Sequence, residues 1–133
     1  MPLVYTGQEA GVDKRLGFFE KDPVEWGNYS MTGFYKTILN LKKTNPALYN
    51  GPWGGNWLRI NTNAEEKVFA FIREKDDHKV FVVLNLSPEP VSFTYSGKAH
   101  KGKYTELFTG EEVRFRKDES AELPAWGYKV YYR

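Results

Sequence analysis

The chain has 133 residues, a length that suits one domain or a small domain with an additional segment. Its 19 Lys and Arg nearly balance 17 Asp and Glu, and the net charge of +2 excludes an overall electrostatic attraction to nucleic acid or to an anionic membrane. The absence of cysteine excludes disulfides, cysteine-ligated metals and cysteine nucleophiles, and no apolar run approaches the roughly 20 residues of a membrane span.

The first nine residues contain an uninterrupted apolar run, Leu3, Val4 and Tyr5. A run without polar alternation is typical of a strand that is buried on both faces, as in a parallel sheet. No second segment of this kind follows with a helix between the two, so we interpret the run as the last strand of a larger architecture. Residues 10–29 lack periodicity and are predicted to form a long loop.

An amphipathic helix is predicted over residues 31–43. Lys42 and Lys43 fall in its last turn, where cations interact favourably with the helix dipole. The helix should end before Pro46, because the residue that precedes a proline avoids the helical region. The prediction rests on apolar residues that recur on one face of the helix, at Met31, Phe34, Tyr35, Ile38 and Leu41.

The second half of the chain has a hydrophobic period of two and is predicted to form about eight short strands. Short strands joined by turns at this spacing indicate an antiparallel sandwich or a Greek-key barrel. The segment Lys79–Leu86 is apolar on both faces, so we predict a central strand that is covered on both sides, with Leu84 buried between two layers. Trp126 alternates with Tyr128 and is expected in the core.

Several stretches of the sequence, in this order, resemble the C-terminal end of the α-amylase family of glycoside hydrolases. The resemblance that they carry extends over essentially the whole chain. They are PLVYTGQE at 2–9, FFEKDPVEW at 18–26, FYKTILNLKKTNPAL at 34–48, VFVVLNLS at 80–87, LFTGE at 107–111 and LPAWGYKVY at 123–131.

The resemblance implies two parts. Residues 1–50 would be the C-terminal remnant of a (β/α)8 catalytic barrel, with its eighth strand, a loop and its eighth helix, and residues 51–133 would be the C-terminal all-β domain. The expected fold class is mainly β: an antiparallel β-sandwich or Greek-key domain of about eight strands, preceded by one strand and one α-helix. A whole barrel takes about 250 residues, so only its last strand and helix fit here.

The resemblance also implies a function for the parent protein. The family's catalytic carboxylates lie on earlier barrel strands, which this sequence lacks, so we expect a truncated chain that is not itself an enzyme and holds no catalytic residue and no cofactor. The parent would hydrolyse or transfer α-glucosidic bonds in α-glucans, and the β domain would give the barrel structural support. The alternative hypothesis is a carbohydrate-binding module that contacts α-glucan through surface aromatic residues.

Few residues are candidates for a site. Gln8 and Glu9 follow the expected eighth strand, at the barrel end that carries active sites, so we expect them near the substrate in the intact parent. Trp53 and Trp57 flank a glycine-rich linker and suit either sugar stacking or packing between the barrel and the β domain. His78 and His100 lack metal-ligand spacing, so we expect two solvent-exposed histidines and no metal site.

The expected partners are the missing catalytic barrel and, through the parent, α-glucan. Neither nucleic acid nor a membrane is expected. The apolar strand and helix face within residues 1–48 would be uncovered in this chain. They would fold back on the β domain or associate in a homodimer, and of the two we expect association. The sequence does not indicate a cellular compartment.

Overall fold

The computed structural model describes residues 2–133 and divides the chain into two compact units. The first unit ends at Thr44, and the second unit spans Asn45–Arg133. The helix α1 (Thr32–Thr44) belongs to the first unit and confirms the predicted amphipathic segment to within one residue at each end. A division of the intact protein into domains at residue 50 stays a prediction.

The expected strand at Leu3, Val4 and Tyr5 does not form in this chain. The chain turns at residues 6–11, where the Gln8 amide donates to the Tyr5 carbonyl at 3.0 Å. Leu3 is 83% exposed and Tyr5 is 59% exposed. A strand needs a neighbour that pairs with its backbone groups, and no described residue supplies one to this segment. An apolar run alone therefore does not produce a strand here.

Eight strands build the second unit: β1 (Asn56–Ile60), β2 (Val68–Lys75), β3 (His78–Asn85), β4 (Val91–Thr94), β5 (Gly102–Glu106), β6 (Glu112–Phe115), β7 (Ser120–Leu123) and β8 (Tyr128–Tyr132). Six of them form one sheet in the order β1-β2-β3-β8-β5-β6, and β4 pairs with β7 in a second sheet. All these pairings are antiparallel. The predicted class, a mainly β antiparallel domain of eight strands, is confirmed.

The core lies between the two sheets and centres on Phe81 of β3, which is 0% exposed. The Phe81 ring centroid is 5.3 Å from that of Phe115 on β6 and 5.8 Å from that of Tyr131 on β8. It is also 5.4 Å from the ring of Tyr95, which in turn lies 5.2 Å from Phe93 on β4. Aromatic side chains from both sheets therefore meet around one residue of the central strand.

The two faces of β3 are buried to different extents, which corrects the expectation that Leu84 lies between two layers. Phe81 and Val83 point into the core, where they are 0% and 1% exposed. Val82 and Leu84 point to the opposite face of the six-stranded sheet, called the outer face below, and are half-buried. The alternation of the sequence predicted which residues share a face, but Asn45–Arg133 covers the outer face only in part.

The segment between α1 and β1 provides this partial cover. The short 3-10 turn Pro46–Leu48 packs against β2 and β3. The Arg73 guanidinium donates to the carbonyl of Tyr49 at 3.1 Å and to that of Gly55 at 3.0 Å, which fastens the segment to β2. Val80, which also points to the outer face, is consequently only 1% exposed. The rest of the outer face has less cover, as its half-buried side chains indicate.

We predict that Val83→Ala lowers the free energy of unfolding by about 2 kcal/mol, because it removes two methyl groups from a closely packed site. Val82→Ala is the matched control, since it makes the same change one residue away on the outer face, and it should cost about half as much or less. Urea unfolding followed by far-UV circular dichroism measures both losses. Equal losses for the two variants would contradict the assignment of the core face.

Candidate functional site

Gln8 and Glu9 lie in the turn at residues 6–11 of the first unit, where both make local hydrogen bonds. The Gln8 side-chain oxygen accepts from the Tyr5 amide at 2.8 Å. The Glu9 carbonyl accepts from the Met31 amide at 3.3 Å and from the Thr32 hydroxyl at 3.4 Å, which ties the turn to the beginning of α1. Glu9 Oε2 is buried without a hydrogen-bond partner among the described residues. Their proximity to substrate in the intact parent stays a prediction.

An ion pair stabilises the loop that precedes α1. Lys14 Nζ lies 2.5 Å from Asp22 Oδ1, and the Gly17 amide donates to Asp22 Oδ2 at 2.8 Å. The hydrogen bond from Lys14, followed by that from Gly17, holds the pKa of Asp22 below its usual range. Asp22 is therefore ionised at neutral pH and does not suit the role of a general acid. The same loop lines a cavity of about 280 Å³ with Ala10, Gly11, Val12, Asp13, Lys14, Glu25 and Asn28.

Trp57 belongs to a group of three aromatic residues on the outer face, Trp57, Phe69 and Phe71, called the outer aromatic cluster below. The Trp57 ring centroid is 6.5 Å from each of the two Phe rings, which lie 5.5 Å apart on β2. Trp57 is 56% exposed, whereas Phe69 and Phe71 are half-buried. Sequence analysis identified Trp57 but missed its neighbours, although the two Phe alternate with small or aliphatic residues along β2.

Two arginines border the outer aromatic cluster, and both are engaged in contacts within the chain. The Arg59 guanidinium lies 5.6 Å from the centroid of the Phe69 ring and 3.9 Å from the Glu65 carboxylate. Arg73 donates to backbone carbonyls of the segment that precedes β1. A sugar site combines apolar contact with polar groups that are placed for the ligand. The charged groups beside this cluster instead make contacts with the protein.

Trp53 and Trp126 are the most exposed tryptophans, at 70% and 63%. Trp53 ends the 3-10 turn Gly51–Trp53, and its carbonyl accepts a hydrogen bond from Lys75 Nζ. The expectation that Trp126 lies in the core is wrong, because its backbone is left-handed, with φ of 55°, and the strand begins only at Tyr128. Sugar stacking by Trp53 or Trp57 stays a prediction.

The two histidines have opposite environments. His78 is exposed, as expected, but the expectation is wrong for His100, which is 0% exposed. Its ring lies 5.1 Å from that of Tyr95, and its Nε2 makes a 2.9 Å hydrogen bond to the Arg116 carbonyl. Burial lowers the pKa of His100, because the charged imidazolium would lose its hydration. The adjacent Lys101 and the nearby turn gave no signal of this burial.

Neither a metal site nor a membrane-spanning helix is found in the part of the chain that the structure describes. Residues 2–133 contain no group of three or more His, Asp or Glu side chains placed to hold a metal ion. Over the same residues, no helix has both the length and the apolar character needed to cross a bilayer. The candidate sites among these residues are therefore aromatic and charged surfaces and not groups of metal-coordinating side chains.

Sequence comparison identifies relatives among amylases and 1,4-alpha-glucan branching enzymes. Residues 59–130 match the family described as the maltogenic amylase C-terminal domain. Alpha-amylase 2 of Dictyoglomus thermophilum is 24% identical over 123 residues, which are 83% of this chain and 20% of that protein. A 1,4-alpha-glucan branching enzyme of Trichormus variabilis is 35% identical over 86 residues, which are 62% of this chain and 11% of that protein. The chain thus spans a fifth or less of these two relatives.

The fold is also similar to part of a solved enzyme structure. A maltogenic alpha-amylase from Thermotoga neapolitana superimposes with a TM-score of 0.77 over 99% of this chain and 32% of that chain. The sequence identity is 17%, so the likeness establishes a shared fold and nothing finer.

We predict that the unfolding free energy falls between pH 7.5 and pH 5.5 because of His100. Its folded pKa lies below the ordinary value of 6.5, so the unfolded chain takes up the proton first as the pH drops, and the folded state loses stability. His100→Gln keeps a donor for the Arg116 carbonyl and should flatten this dependence. His78→Gln is the matched control and should preserve it. Urea unfolding at five pH values measures the slope, and a slope unchanged in His100→Gln would contradict the prediction.

Proposed function

This chain belongs to the family of maltogenic amylase C-terminal domains, and from that premise we propose that it is the non-catalytic C-terminal part of a glycoside hydrolase that acts on α-glucans. The residues that cleave or transfer the α-glucosidic bond would lie in a catalytic barrel elsewhere in the parent protein. We further propose that the β domain, Asn45–Arg133, packs against that barrel through the outer face of its six-stranded sheet.

The outer aromatic cluster is the observation that carries this proposal. Trp57, Phe69 and Phe71 present three rings in mutual contact on a face that the chain covers only in part. Across the strands, Phe71 pairs with Val82 and Phe69 pairs with Leu84, so the apolar surface continues from β2 onto β3. A contiguous apolar surface of this kind favours a protein partner. The occupant that fits the family is the catalytic barrel of the same polypeptide.

Packing of this kind would stabilise the catalytic barrel by removing apolar surface from water. Full burial of one large apolar side chain contributes about 1.5–3 kcal/mol. Burial of a few such residues on the outer face is therefore comparable with the net free energy of unfolding of a domain, about 5–15 kcal/mol. The role is therefore structural: the β domain shields one side of the barrel and takes no part in the bond-breaking step.

A carbohydrate-binding module is the competing function, and the exposure of Trp53 and Trp57 favours it. Two observations count against it for Trp57. The ring already contacts Phe69 and Phe71, and Arg59, which borders the cluster, lies against Phe69 and Glu65 rather than projecting toward a ligand. The proposal assigns the outer aromatic cluster to a protein partner for these reasons.

Self-association through residues 1–48 is a second proposal about partners. Its support is the exposure of apolar side chains in the first unit, where Phe18 is 89% exposed, Phe19 is 94% exposed and Leu3 is 83% exposed. Exposed apolar surface in water favours any arrangement that buries it, and a two-fold contact buries the same patch on both copies at once.

We predict that Trp57→Ser in the intact parent enzyme shortens the half-life of thermal inactivation by about tenfold, because it removes an aromatic contact between the β domain and the barrel. Trp126→Ser is the matched control, since Trp126 is similarly exposed but lies outside the outer aromatic cluster, and it should change the half-life little. The kcat/KM for maltoheptaose should be unchanged in both. If Trp57→Ser instead raises KM for α-glucan at an unchanged half-life, the carbohydrate-binding function is supported.

We predict that this chain forms a dimer at high micromolar concentration and that a version beginning at Asn45, the start of the second unit, is monomeric. The reason is the loss of the exposed apolar residues of the first unit. Multi-angle light scattering after size-exclusion chromatography measures both masses. A monomeric full chain, or equal association of the shorter version, would contradict the role of residues 1–48.

A further inference from the structure

A group of four cations lies at the β5–β6 edge of the six-stranded sheet. Lys103 on β5 and Arg114 on β6 are direct cross-strand partners, so both side chains emerge on one face of the sheet. Lys101 and Arg116 flank this pair at the open end of the hairpin. The β5–β6 cationic cluster consists of Lys101, Lys103, Arg114 and Arg116, and all four are exposed.

The cluster concentrates charge in a chain that is close to neutral. Residues 98–103 and 114–117 together contain six Lys and Arg and no Asp or Glu. Since the whole chain carries +2, the remaining residues carry 2 − 6 = −4. The near balance of the composition thus hides a strongly positive region at one edge of the sheet.

Within residues 2–133, no ion pair neutralises the β5–β6 cationic cluster. The nearby acids are engaged or lie further along the hairpin: Asp118 pairs with Lys117 at 3.0 Å, Glu119 accepts from the Arg116 amide at 2.6 Å, and Glu112 faces Thr105. Like charges directly opposite each other on neighbouring strands are destabilising. A cross-strand Lys–Arg pair therefore costs stability unless an anion occupies the space between the two side chains.

The surface next to the cluster has room for a small anion. An open cavity of about 590 Å³ is lined by three of the four cluster residues, Lys101, Arg114 and Arg116, together with Gly102, Phe115 and Lys117. Gly102 has a φ of 140°, and a side chain at this position would meet the Arg133 guanidinium, since an added Cβ would lie 2.5 Å from its Nη1. Glycine therefore suits this position, which borders the cavity.

We propose that the β5–β6 cationic cluster binds a phosphate group, either as free phosphate or as the monoester of a sugar. Guanidinium groups match the oxygens of phosphate in bidentate geometry, and the lysines add charge, so two Arg and two Lys suit a compact dianion. An unmodified glucan is neutral and gives these cations nothing to neutralise. This inference does not depend on the proposed function of the outer aromatic cluster.

Nucleic acid fits the surface less well than a small phosphate ligand. Sites for single strands add exposed aromatic faces on which bases stack, and the aromatic residue among the lining residues, Phe115, is 7% exposed in the core. Binding to duplex backbone typically uses about six to ten phosphate contacts, which exceeds what four adjacent cations provide.

The test is a titration of the isotopically labelled chain with glucose 6-phosphate, inorganic phosphate and glucose at constant ionic strength, followed by amide chemical shifts of Gly102 and its neighbours. We expect saturable shifts with the two phosphates and none with glucose. Stronger binding of glucose 6-phosphate identifies a sugar ester as the source, and equal binding identifies phosphate itself. The absence of saturable shifts with either phosphate would overturn the proposal.

Charge-matched variants separate the cluster from general electrostatics. Lys103→Gln with Arg114→Gln should weaken phosphate binding by about tenfold or more, because two charge-assisted contacts are lost. Arg59→Gln with Lys75→Gln removes the same charge from β1 and β2, at the opposite edge of the six-stranded sheet, and should change binding by less than about twofold, because charges at that separation are screened. Equal weakening by both pairs, or tighter binding of a single-stranded or duplex oligonucleotide than of glucose 6-phosphate at the same salt concentration, would overturn the proposal.

A third variant controls for unfolding. Lys103→Glu places an acid opposite Arg114 and should abolish phosphate binding while it raises the melting temperature in phosphate-free buffer, because an opposite-charge pair replaces a like-charge pair. Loss of binding in a more stable protein cannot result from unfolding. Retained binding in this variant would show that the cluster does not hold the phosphate.

Discussion

Side chains from both sheets pack against the inner face of β3, and Phe81 lies at the centre of that face. Because β3 pairs with β2 on one side and with β8 on the other, its backbone hydrogen bonds are made within the sheet. The ring of Phe81 then contacts aromatic rings contributed by β5, β6, β8 and the segment after β4. One fully paired strand with one fully covered face is thus the constraint that fixes the position of the other strands.

The outer face of the same sheet is divided into two surfaces of different chemistry. Toward β1 and β2 it presents the outer aromatic cluster, and toward β5 and β6 it presents the β5–β6 cationic cluster. A partner that buries apolar rings gains free energy by excluding water, whereas exposed ammonium and guanidinium groups resist dehydration unless anions accompany them. The two surfaces therefore suit different partners, and one sheet can present both because its six strands set them at opposite edges.

Alternation along the strands made much of the β domain predictable. The paired strands β2 and β3 and the separation of Phe81 and Val83 from Val82 and Leu84 follow from a period of two in a sequence rich in β-branched and aromatic residues. Alternation along a strand does not indicate whether another layer covers each face, so the burial of Leu84 was overestimated. The burial of His100 was missed for a related reason: the adjacent Lys101 and the nearby turn suggest a surface position, whereas tertiary packing against Tyr95 decides its burial.

The cationic cluster was hidden for a different reason. Lys101 and Lys103 are separated from Arg114 and Arg116 by a hairpin turn, and each pair alone resembles an ordinary solvated segment. Only the cross-strand register, which sets Lys103 opposite Arg114, brings the charges together. The register depends on the turn and on the pairing partner, so counting charges along the sequence does not reveal the cationic cluster.

In the first unit, the helix was predicted correctly from its sequence pattern, whereas the strand predicted before it does not form. The helix α1 makes its backbone hydrogen bonds within its own segment, so its residues adopt the helix wherever the amphipathic face finds some cover. The apolar run at Leu3, Val4 and Tyr5 cannot satisfy its backbone hydrogen bonds within its own segment as a strand, because each strand residue needs a partner from another segment. Among the described residues that partner is lacking, and the run ends in a tight turn at Gln8 instead. An apolar run thus indicates that a strand is stable only where another segment pairs with it. An amphipathic helical pattern predicts the secondary structure more directly, because the helix supplies its own backbone hydrogen bonds.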